Sequence, residues 1–320
     1  MSESVSSLAA TKALKRRSFW ADLAIRLVKG KPLGMAGALI VLLLLLTALF
    51  ANLVAPYGMN EVHVYDRMQP PSAKYILGSD TVGRDMLSRI IFGARISMIV
   101  GLAGASLNIL TACSIGLVSG FMGGKTDIVV QRFVDAWMCF PPLFIILTVM
   151  AILGPGLIQV ILVLGISNGI GTSRVIRSAV IGIKQNVYID AGNAIGCSPT
   201  RMLSRHVLPN VMATIIIGFT LSMGGIILAE ATISFLGYGI PPPTPSWGGM
   251  LAGIGRAYVL QAPWLALWPG LALALSVFGI NVFGDALRDL LDPRLRGGVG
   301  RYSKNPPRRR RSGSQADYND

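Results

Sequence analysis

The chain has 320 residues, of which 52% are hydrophobic and only 14% are charged. Soluble domains carry about 25% charged residues, and apolar runs long enough to cross a bilayer recur here, so the composition excludes an ordinary soluble protein. The formal net charge is +14. The basic residues flank the apolar runs, and membrane topology explains that pattern better than nucleic-acid binding does.

No residue pattern predicts catalysis, a metal site or a bound cofactor. The cysteines, Cys113, Cys139 and Cys197, lack metal-ligand spacing, and we expect them to be reduced. The two histidines form no metal-binding pair, and no serine or cysteine has an obvious base beside it. Residues 124–126 (GKT) match the end of a phosphate-binding loop, but Ser119 stands where that motif needs glycine. We therefore expect no enzyme and no ATPase activity in this chain.

The N-terminal part of the chain predicts a basic segment followed by one membrane span. Residues 1–32 are polar and basic, and residues 33–55 form an apolar run that is too long for a signal-peptide core. Residues 56–95 then mix polar and apolar positions. Gly78 and Gly83 bracket a predicted turn in this segment, because glycine is the default residue of strained turns.

A short helix is predicted directly after this turn. Ser79 and Asp80 are candidate helix caps. Residues 85–93 place their apolar side chains at helical spacing, which predicts an amphipathic surface helix.

The later apolar runs predict five more spans, so that six cross the membrane in total. They cover residues 96–121, 136–153, 157–173, 211–236 and 264–284. We expect residues 122–135 to form a short turn, Pro141-Pro142 to kink the third span, and the Asn168–Gly171 region to bend the fourth. Residues 237–263 read as a loop rich in proline and glycine, and residues 298–320 as a disordered basic tail.

The stretch 188–210 is the long polar segment between apolar runs, and it predicts a helix, a turn and a second helix. Residues 185–195 contain no proline, and Gly196 suits the left-handed position that ends a helix. Ser198 and Pro199 suit the start of the second helix. That second helix is expected to finish before Pro209.

At these residues the chain resembles the permease subunits of binding-protein-dependent ABC importers. Their cytoplasmic loop carries a Glu-Ala-Ala triplet, then a glycine, then Leu-Pro. The matching positions here are Asp190, Ala191, Gly192, Gly196, Leu208 and Pro209. The strings at residues 76–97 and 229–251 resemble the C-type subunit of the dipeptide, oligopeptide and nickel branch of that family.

The resemblance implies an all-α, polytopic membrane protein with six transmembrane helices, the type I ABC importer permease fold. It implies a permease domain over residues 33–297 and, within it, an ATPase-coupling loop over residues 184–210. The implied partners are a homologous permease subunit, two ATP-binding subunits, an extracytoplasmic solute-binding protein and membrane lipid, with no nucleic acid. The implied cargo is a di- or oligopeptide, and nickel or another small solute is the alternative within the family. An ion-coupled secondary transporter is the alternative of a different class.

The resemblance implies a bacterial or archaeal cytoplasmic membrane, and the charge distribution predicts the orientation of the chain in it. With both termini inside, the segments on the cytoplasmic side hold 23 of the 29 Lys and Arg residues, as the positive-inside rule requires. The basic segment 1–32, the coupling loop and the tail are then all cytoplasmic.

Glu230 is the clearest ionisable residue inside a predicted span. Carboxylates within a membrane are costly and often functional. Glu230 is therefore a candidate for lining the translocation path. The alternative is a carboxylate that is hydrogen-bonded between helices or that reaches the outer interface of the membrane.

Overall fold

The computed structural model describes residues 27–28, 30–253 and 257–291. Most of the predicted cytoplasmic segment 1–32 and the whole of the basic tail 298–320 lie outside the described residues. The described residues are helical and contain no β-strand beyond one isolated bridge, Ser79 with Asp85. The predicted all-α fold class is confirmed.

Long apolar helices dominate the structure. In chain order the α-helices are α1 (Pro32–Leu49), α2 (Ala51–Val54), α3 (Met86–Met122), α4 (Gly124–Met138), α5 (Pro142–Leu153), α6 (Leu157–Lys184), α7 (Val187–Ala194), α8 (Pro199–Met202), α9 (Leu208–Phe235), α10 (Trp247–Leu251) and α11 (Trp264–Leu291). Five helices, with α8 and α9 taken as one, are long and apolar enough to cross a membrane; the α4–α5 pair makes a sixth span if it is counted as one. The predicted six spans agree with the upper number.

The segment 85–93 is not an amphipathic surface helix, because it forms the first turns of the 37-residue α3. Asp85, rather than Ser79 or Asp80, caps this helix and accepts a hydrogen bond from the Ser88 N–H at 2.7 Å. Most side chains in these turns are buried, including Met86 at 2% exposure. The spacing of the apolar residues correctly indicated a helix. Spacing alone does not show whether the rest of the protein covers one face of that helix or both.

The segment 122–135 is not a short turn, because most of it belongs to α4. Two ion pairs, Asp127 with Arg177 and Asp135 with Arg174, hold α4 against α6. The Arg177 Nε lies 2.6 Å from Asp127 Oδ1. Both aspartates lie in the segment that the sequence predicts to be a turn, yet each has a partner on the neighbouring helix.

The third predicted span is broken rather than kinked. α4 and α5 meet at an angle of 85° across residues 139–141, and α5 begins at Pro142. Proline lacks the N–H that a continuous helix would need, so the pair of prolines ends one helix and starts another.

Glycines bring α3 and α6 into close contact. Gly116 and Gly120 on α3 and Gly165 and Gly169 on α6 each face the other helix so closely that a Cβ would overlap it or press against it. Two such glycines spaced four apart on each helix match the small-residue packing of membrane helices. Gly169 therefore serves packing, and α6 runs without a break through residues 168–171, so the bend expected there stays a prediction.

The bundle has two distinct ends. At the coupling-loop end, Lys184 Nζ donates to the Phe121 carbonyl at 2.7 Å, and Lys31 pairs with Asp289. At the opposite end, the segment 56–85 covers the start of α11, where Trp264 Nε1 donates to the Ser79 carbonyl at 3.2 Å. Between them lies an apolar core. Its largest members include Met150, Leu164, Ile226, Ile227, Ile233 and Ile280.

Candidate functional site

The turn of the coupling loop has the predicted geometry. After α7, Gly196 adopts φ +76°, and the left-handed conformation predicted for it is confirmed. The Cys197 N–H donates to the Gly192 carbonyl, and the Gly196 N–H donates to the Asn193 carbonyl, both at 3.0 Å. This pair of bonds is the Schellman motif. Because a Cβ at Gly196 would meet nothing within 4 Å, backbone conformation rather than space requires glycine there.

The second half of the loop differs from the prediction. Pro199 begins α8 as expected, but the Ser198 hydroxyl makes no capping bond. The helix does not finish before Pro209: a π-helical turn, Leu203–Val207, joins α8 to α9, and the Leu208 N–H donates to the Leu203 carbonyl.

The π turn explains how proline is tolerated in this continuous helix. A proline inside an α-helix removes one hydrogen bond and clashes with the preceding turn, whereas a π turn changes the bonding register locally. The His206 carbonyl accepts a bond from Asn210 Nδ2 at 2.6 Å. The coupling loop is therefore continuous with the span α9.

The inward face of the loop packs against the bundle. Ile189, Met202 and Val207 are at most 2% exposed and form one cluster with Ile176 and Val180 of α6. A Cβ at Gly192 would overlap the Met202 side chain. Gly192, the third residue of the Asp190-Ala191-Gly192 triplet, thus lets α7 pack directly on α8.

The outward surface of the loop exposes large apolar side chains at both ends of α7. Val187 is 82% exposed and Ile195 is 85% exposed, while Asp190 and Ala191 beside them are also exposed. Large exposed apolar side chains with polar neighbours are suited to contact with a partner protein. The sequence analysis did not single out Val187 and Ile195 as candidate contact residues. Large apolar residues at both ends of a short polar helix are a sequence signal that could have identified them.

The six residues predicted for coupling fall into two groups. Asp190, Ala191 and Gly192 lie on α7, and Gly196 lies just after it. Leu208 and Pro209 instead lie in the first turn of α9, where Leu208 packs against the apolar cluster of the loop and Pro209 is exposed. In the first group Asp190 and Ala191 are exposed to a partner and Gly192 packs on Met202, while the second group joins the loop to a span. Their coupling role stays a prediction.

Glu230 lies on α9 near the opposite end of the bundle and is fully buried. Its Oε1 accepts a hydrogen bond from Ser234 Oγ at 2.6 Å, and the same hydroxyl accepts from the Ile240 N–H at 3.2 Å. Oε2 has no hydrogen-bond partner among the described residues. In this arrangement the carboxylate connects α9 to the loop that follows it. A role in the translocation path stays a prediction.

The described part of the predicted loop 237–263 packs onto the helices. Trp247 of α10 is 1% exposed, and its Nε1 donates to the Ile90 carbonyl at 3.2 Å. Gly248 contacts the backbone of Ala231 so closely that a Cβ would overlap it. Ser246 caps α10 and is also buried, at 1% exposure.

Two substitutions at Glu230 separate packing from transport. Glu230→Leu removes the acceptor of the buried Ser234 hydroxyl, a loss worth about 1–3 kcal/mol, so we expect thermal stability of the assembled complex to fall. Glu230→Gln keeps an acceptor of the same size and is expected to keep that stability. Thermal melting and uptake are measured on both. A Glu230→Gln complex that assembles normally but transports poorly would instead assign Glu230 to the path.

The described residues form a bundle of helices long and apolar enough to cross a membrane, with an exposed loop packed against one end, which indicates an integral membrane protein. Comparison with known families identifies the class of membrane protein. Residues 112–297 match the family described as binding-protein-dependent transport system inner membrane component. Residues 18–71 match the N-terminal transmembrane domain of oligopeptide transport permease C. The chain belongs to the family of binding-protein-dependent transport system inner membrane components.

Curated relatives cover nearly the whole chain. It is 36% identical to the oligopeptide transport system permease protein of Bacillus subtilis (strain 168), over 88% of this chain and 92% of the relative. It is 38% identical to the di/tripeptide transport system permease protein of Pseudomonas aeruginosa (strain UCBPP-PA14), with the same two coverages. It is 33% identical to the probable D,D-dipeptide transport system permease protein of Escherichia coli (strain K12), over 90% of this chain and 96% of the relative.

Membership of this family confirms the resemblance found in the sequence. The family is one of transporter permease subunits and not of enzymes, and its transporters depend on a substrate-binding partner and an ATP-binding partner. Nothing in the comparisons favours an ion-coupled secondary transporter.

Proposed function

We propose that this chain is the C-type permease subunit of an ABC importer that carries di- or oligopeptides across the cytoplasmic membrane. It pairs with a homologous permease subunit, and two separate ATP-binding subunits hydrolyse the ATP. An extracytoplasmic binding protein delivers the peptide to the end of the bundle opposite the coupling loop. The peptide cargo is supported by the names of the relatives, each of which is a peptide transporter.

One observation carries the proposal: the coupling loop exposes apolar side chains at both ends of α7, while its other face packs against the bundle. Val187 and Ile195 are exposed, while the buried face is anchored on α6. When a partner binds this surface and moves, the motion is transmitted to α6 through the two-residue junction 185–186 and to α9 through the π turn. Rigid-body closure of the ATP-binding subunits is thereby converted into rocking of the spans. ATP changes the relative populations of the inward- and outward-facing states only to the extent that its affinity differs between them.

The remaining apolar surface supports lipid and a second permease subunit as neighbours. Large side chains point outward from the spans, for example Leu110 at 64% exposure, Phe144 at 62% and Ile158 at 69%. An apolar surface of this kind is stable in hydrocarbon or against another subunit, but not in water.

Proteoliposomes that contain the complete transporter test this function. We expect radiolabelled trialanine to accumulate only when ATP is present on the side of the ATP-binding subunits and the binding protein is present on the other. Dissipating the proton and sodium gradients should leave this accumulation unchanged. Accumulation that follows an ion gradient without ATP would contradict the proposal and favour a secondary transporter.

Cysteine labelling tests the proposed orientation, with both termini in the cytoplasm. Ser246, in the predicted outer loop, is too buried to label, so Tyr65, at 99% exposure, is the better position. In a chain without its native cysteines, Tyr65→Cys should react with an impermeant maleimide applied to intact cells. Asn193→Cys, exposed on α7, should react only after the membrane is permeabilised. The opposite labelling pattern would invert the topology.

A further inference from the structure

A cavity of 350 Å³ lies at the end of the bundle opposite the coupling loop. It lies between the start of α3, the loop before α10 and the start of α11, and its volume is within the range of about 300–1,000 Å³ usual for small-molecule sites. One wall is apolar, with Met86, Ile240, Pro242 and Leu265. The charged lining residues are Asp80, Arg84 and Arg89.

Arg89 is a buried cation with no close partner. Its side chain is only 9% exposed, and its Nε lies 3.7 Å from Asp80 Oδ2. Its other polar contact is a long one, 3.5 Å from Nη1 to the Pro243 carbonyl. A guanidinium has five N–H donors in a planar fork. Most of these donors have no acceptor among the described residues, although a buried charge needs one.

The nearby carboxylates are already engaged elsewhere. Asp80 accepts from Arg84 Nε at 2.7 Å, and its second oxygen accepts from the Val82 and Arg84 N–H groups at 2.9 Å. Asp85 accepts from the Ser88 N–H and hydroxyl at 2.7 Å. Among the lining residues, two guanidinium groups therefore face one carboxylate, and that carboxylate is bound closely to Arg84 rather than Arg89.

We propose that this cavity is a binding site for the carboxylate of the transported solute, held by the Arg89 fork. The inference rests on the proposed function, and it names the C-terminal carboxylate of the peptide as the ligand group. A planar carboxylate matches two parallel N–H donors of arginine. The apolar wall then lies beside the last side chain of the peptide.

The enclosure of Arg89 favours a small solute over an acidic side chain of the docking protein. Because 9% of the side chain is exposed, a ligand must enter the cavity to reach the guanidinium. The loop that carries Pro242 and Pro243 covers it from one side.

Direct binding to the purified transporter, without its binding protein, tests the site. Equilibrium dialysis measures the Kd of trialanine and of trialanine amide, which lacks the terminal charge. We expect the unmodified transporter to bind trialanine about tenfold more tightly than the amide, as one charge-assisted pair allows. Arg89→Gln should bring the two Kd values together, and Arg89→Lys should leave a smaller preference because it keeps the charge but loses the fork.

Arg95 provides the matched control. It lies on the same helix and also donates to a carbonyl, from Nε to Ala48 at 2.8 Å, but it does not line the cavity. Arg95→Gln should keep the tenfold preference. Size-exclusion chromatography checks that each complex is assembled, and if Arg89→Gln does not assemble, the weakened preference of Arg89→Lys decides the matter.

Three results would overturn the inference. The unmodified transporter could bind both peptides equally or not at all, or the Arg89 variants could keep the full preference. A third result is weaker binding of the loaded binding protein by Arg89→Gln with the trialanine preference retained, which would assign the carboxylate to that protein. ATP-driven uptake is measured separately. A negative result in the binding experiment therefore leaves the proposed function standing, and only a lack of ATP-driven uptake counts against that function.

Discussion

Replacing Gly196 with valine is expected to impair transport severely while the chain still inserts into the membrane. Valine at φ +76° costs roughly 1–2 kcal/mol, and the strain is relieved by changing the angle between α7 and α8. A cost of one or two kcal/mol changes an equilibrium about 5- to 30-fold. We therefore expect ATP hydrolysis that is stimulated by the loaded binding protein to fall by at least about fivefold. The measurement is ATPase activity of the purified complex with and without that protein.

Gly196→Asn is the matched control, because asparagine tolerates the left-handed conformation. It should keep most of the stimulated activity, since a Cβ at this position has open space around it. Asp190→Lys should weaken coupling more mildly, because one charge at the rim of an interface tunes the contact without making it. If Gly196→Val co-purifies with the full complement of ATP-binding subunits and retains stimulated hydrolysis, the loop is not the coupling element.

Gly116→Val is expected to have the largest effect on stability. A Cβ at Gly116 would lie 2.5 Å from the Ser173 carbonyl oxygen and 3.0 Å from the Arg177 nitrogen. Both are backbone atoms of α6, so the helices must separate. Overpacking costs about 1–3 kcal/mol and occasionally more, and here it also displaces the helix that leads into α7. We expect a lower melting temperature of the detergent-solubilised complex and a reduced yield.

Gly171→Ala on α6 is the comparison for this substitution. A Cβ there would meet nothing within 4 Å, and alanine has the better helix propensity, by about 1 kcal/mol. Its melting temperature should equal or exceed that of the unmodified complex. Equal melting temperatures for Gly116→Val and the unmodified complex would mean that α3 and α6 do not pack as described.

Much of the fold could be predicted because the membrane imposes strong constraints on sequence. Long apolar runs must become helices when no water can satisfy their backbone groups. Gly196 was predictable for a local reason, since the end of a helix needs a left-handed residue. The spacing of its neighbours then identified the coupling loop by resemblance.

The remaining features depend on contacts that a one-dimensional pattern does not contain. Asp127 and Asp135 read as loop charges until α6 supplies their arginines. Pro209 predicts a helix end, but the π turn before it lets the helix continue. The pairing of Gly116 with Ser173 depends on a helix crossing rather than on neighbours in sequence. Arg89 likewise becomes notable only once Asp80 is found to be engaged by Arg84.

Site-specific photo-crosslinking tests the central claim most directly, namely that the coupling loop is where ATP-driven motion enters this chain. A photoreactive amino acid replaces Ile195, which is 85% exposed on the coupling loop, or Tyr65, which is 99% exposed at the opposite end. In the assembled transporter we predict that position 195 crosslinks to an ATP-binding subunit, more strongly in one nucleotide state than in the other, and that position 65 does not. Crosslinking of the ATP-binding subunit at position 65, with none at position 195, would contradict the account.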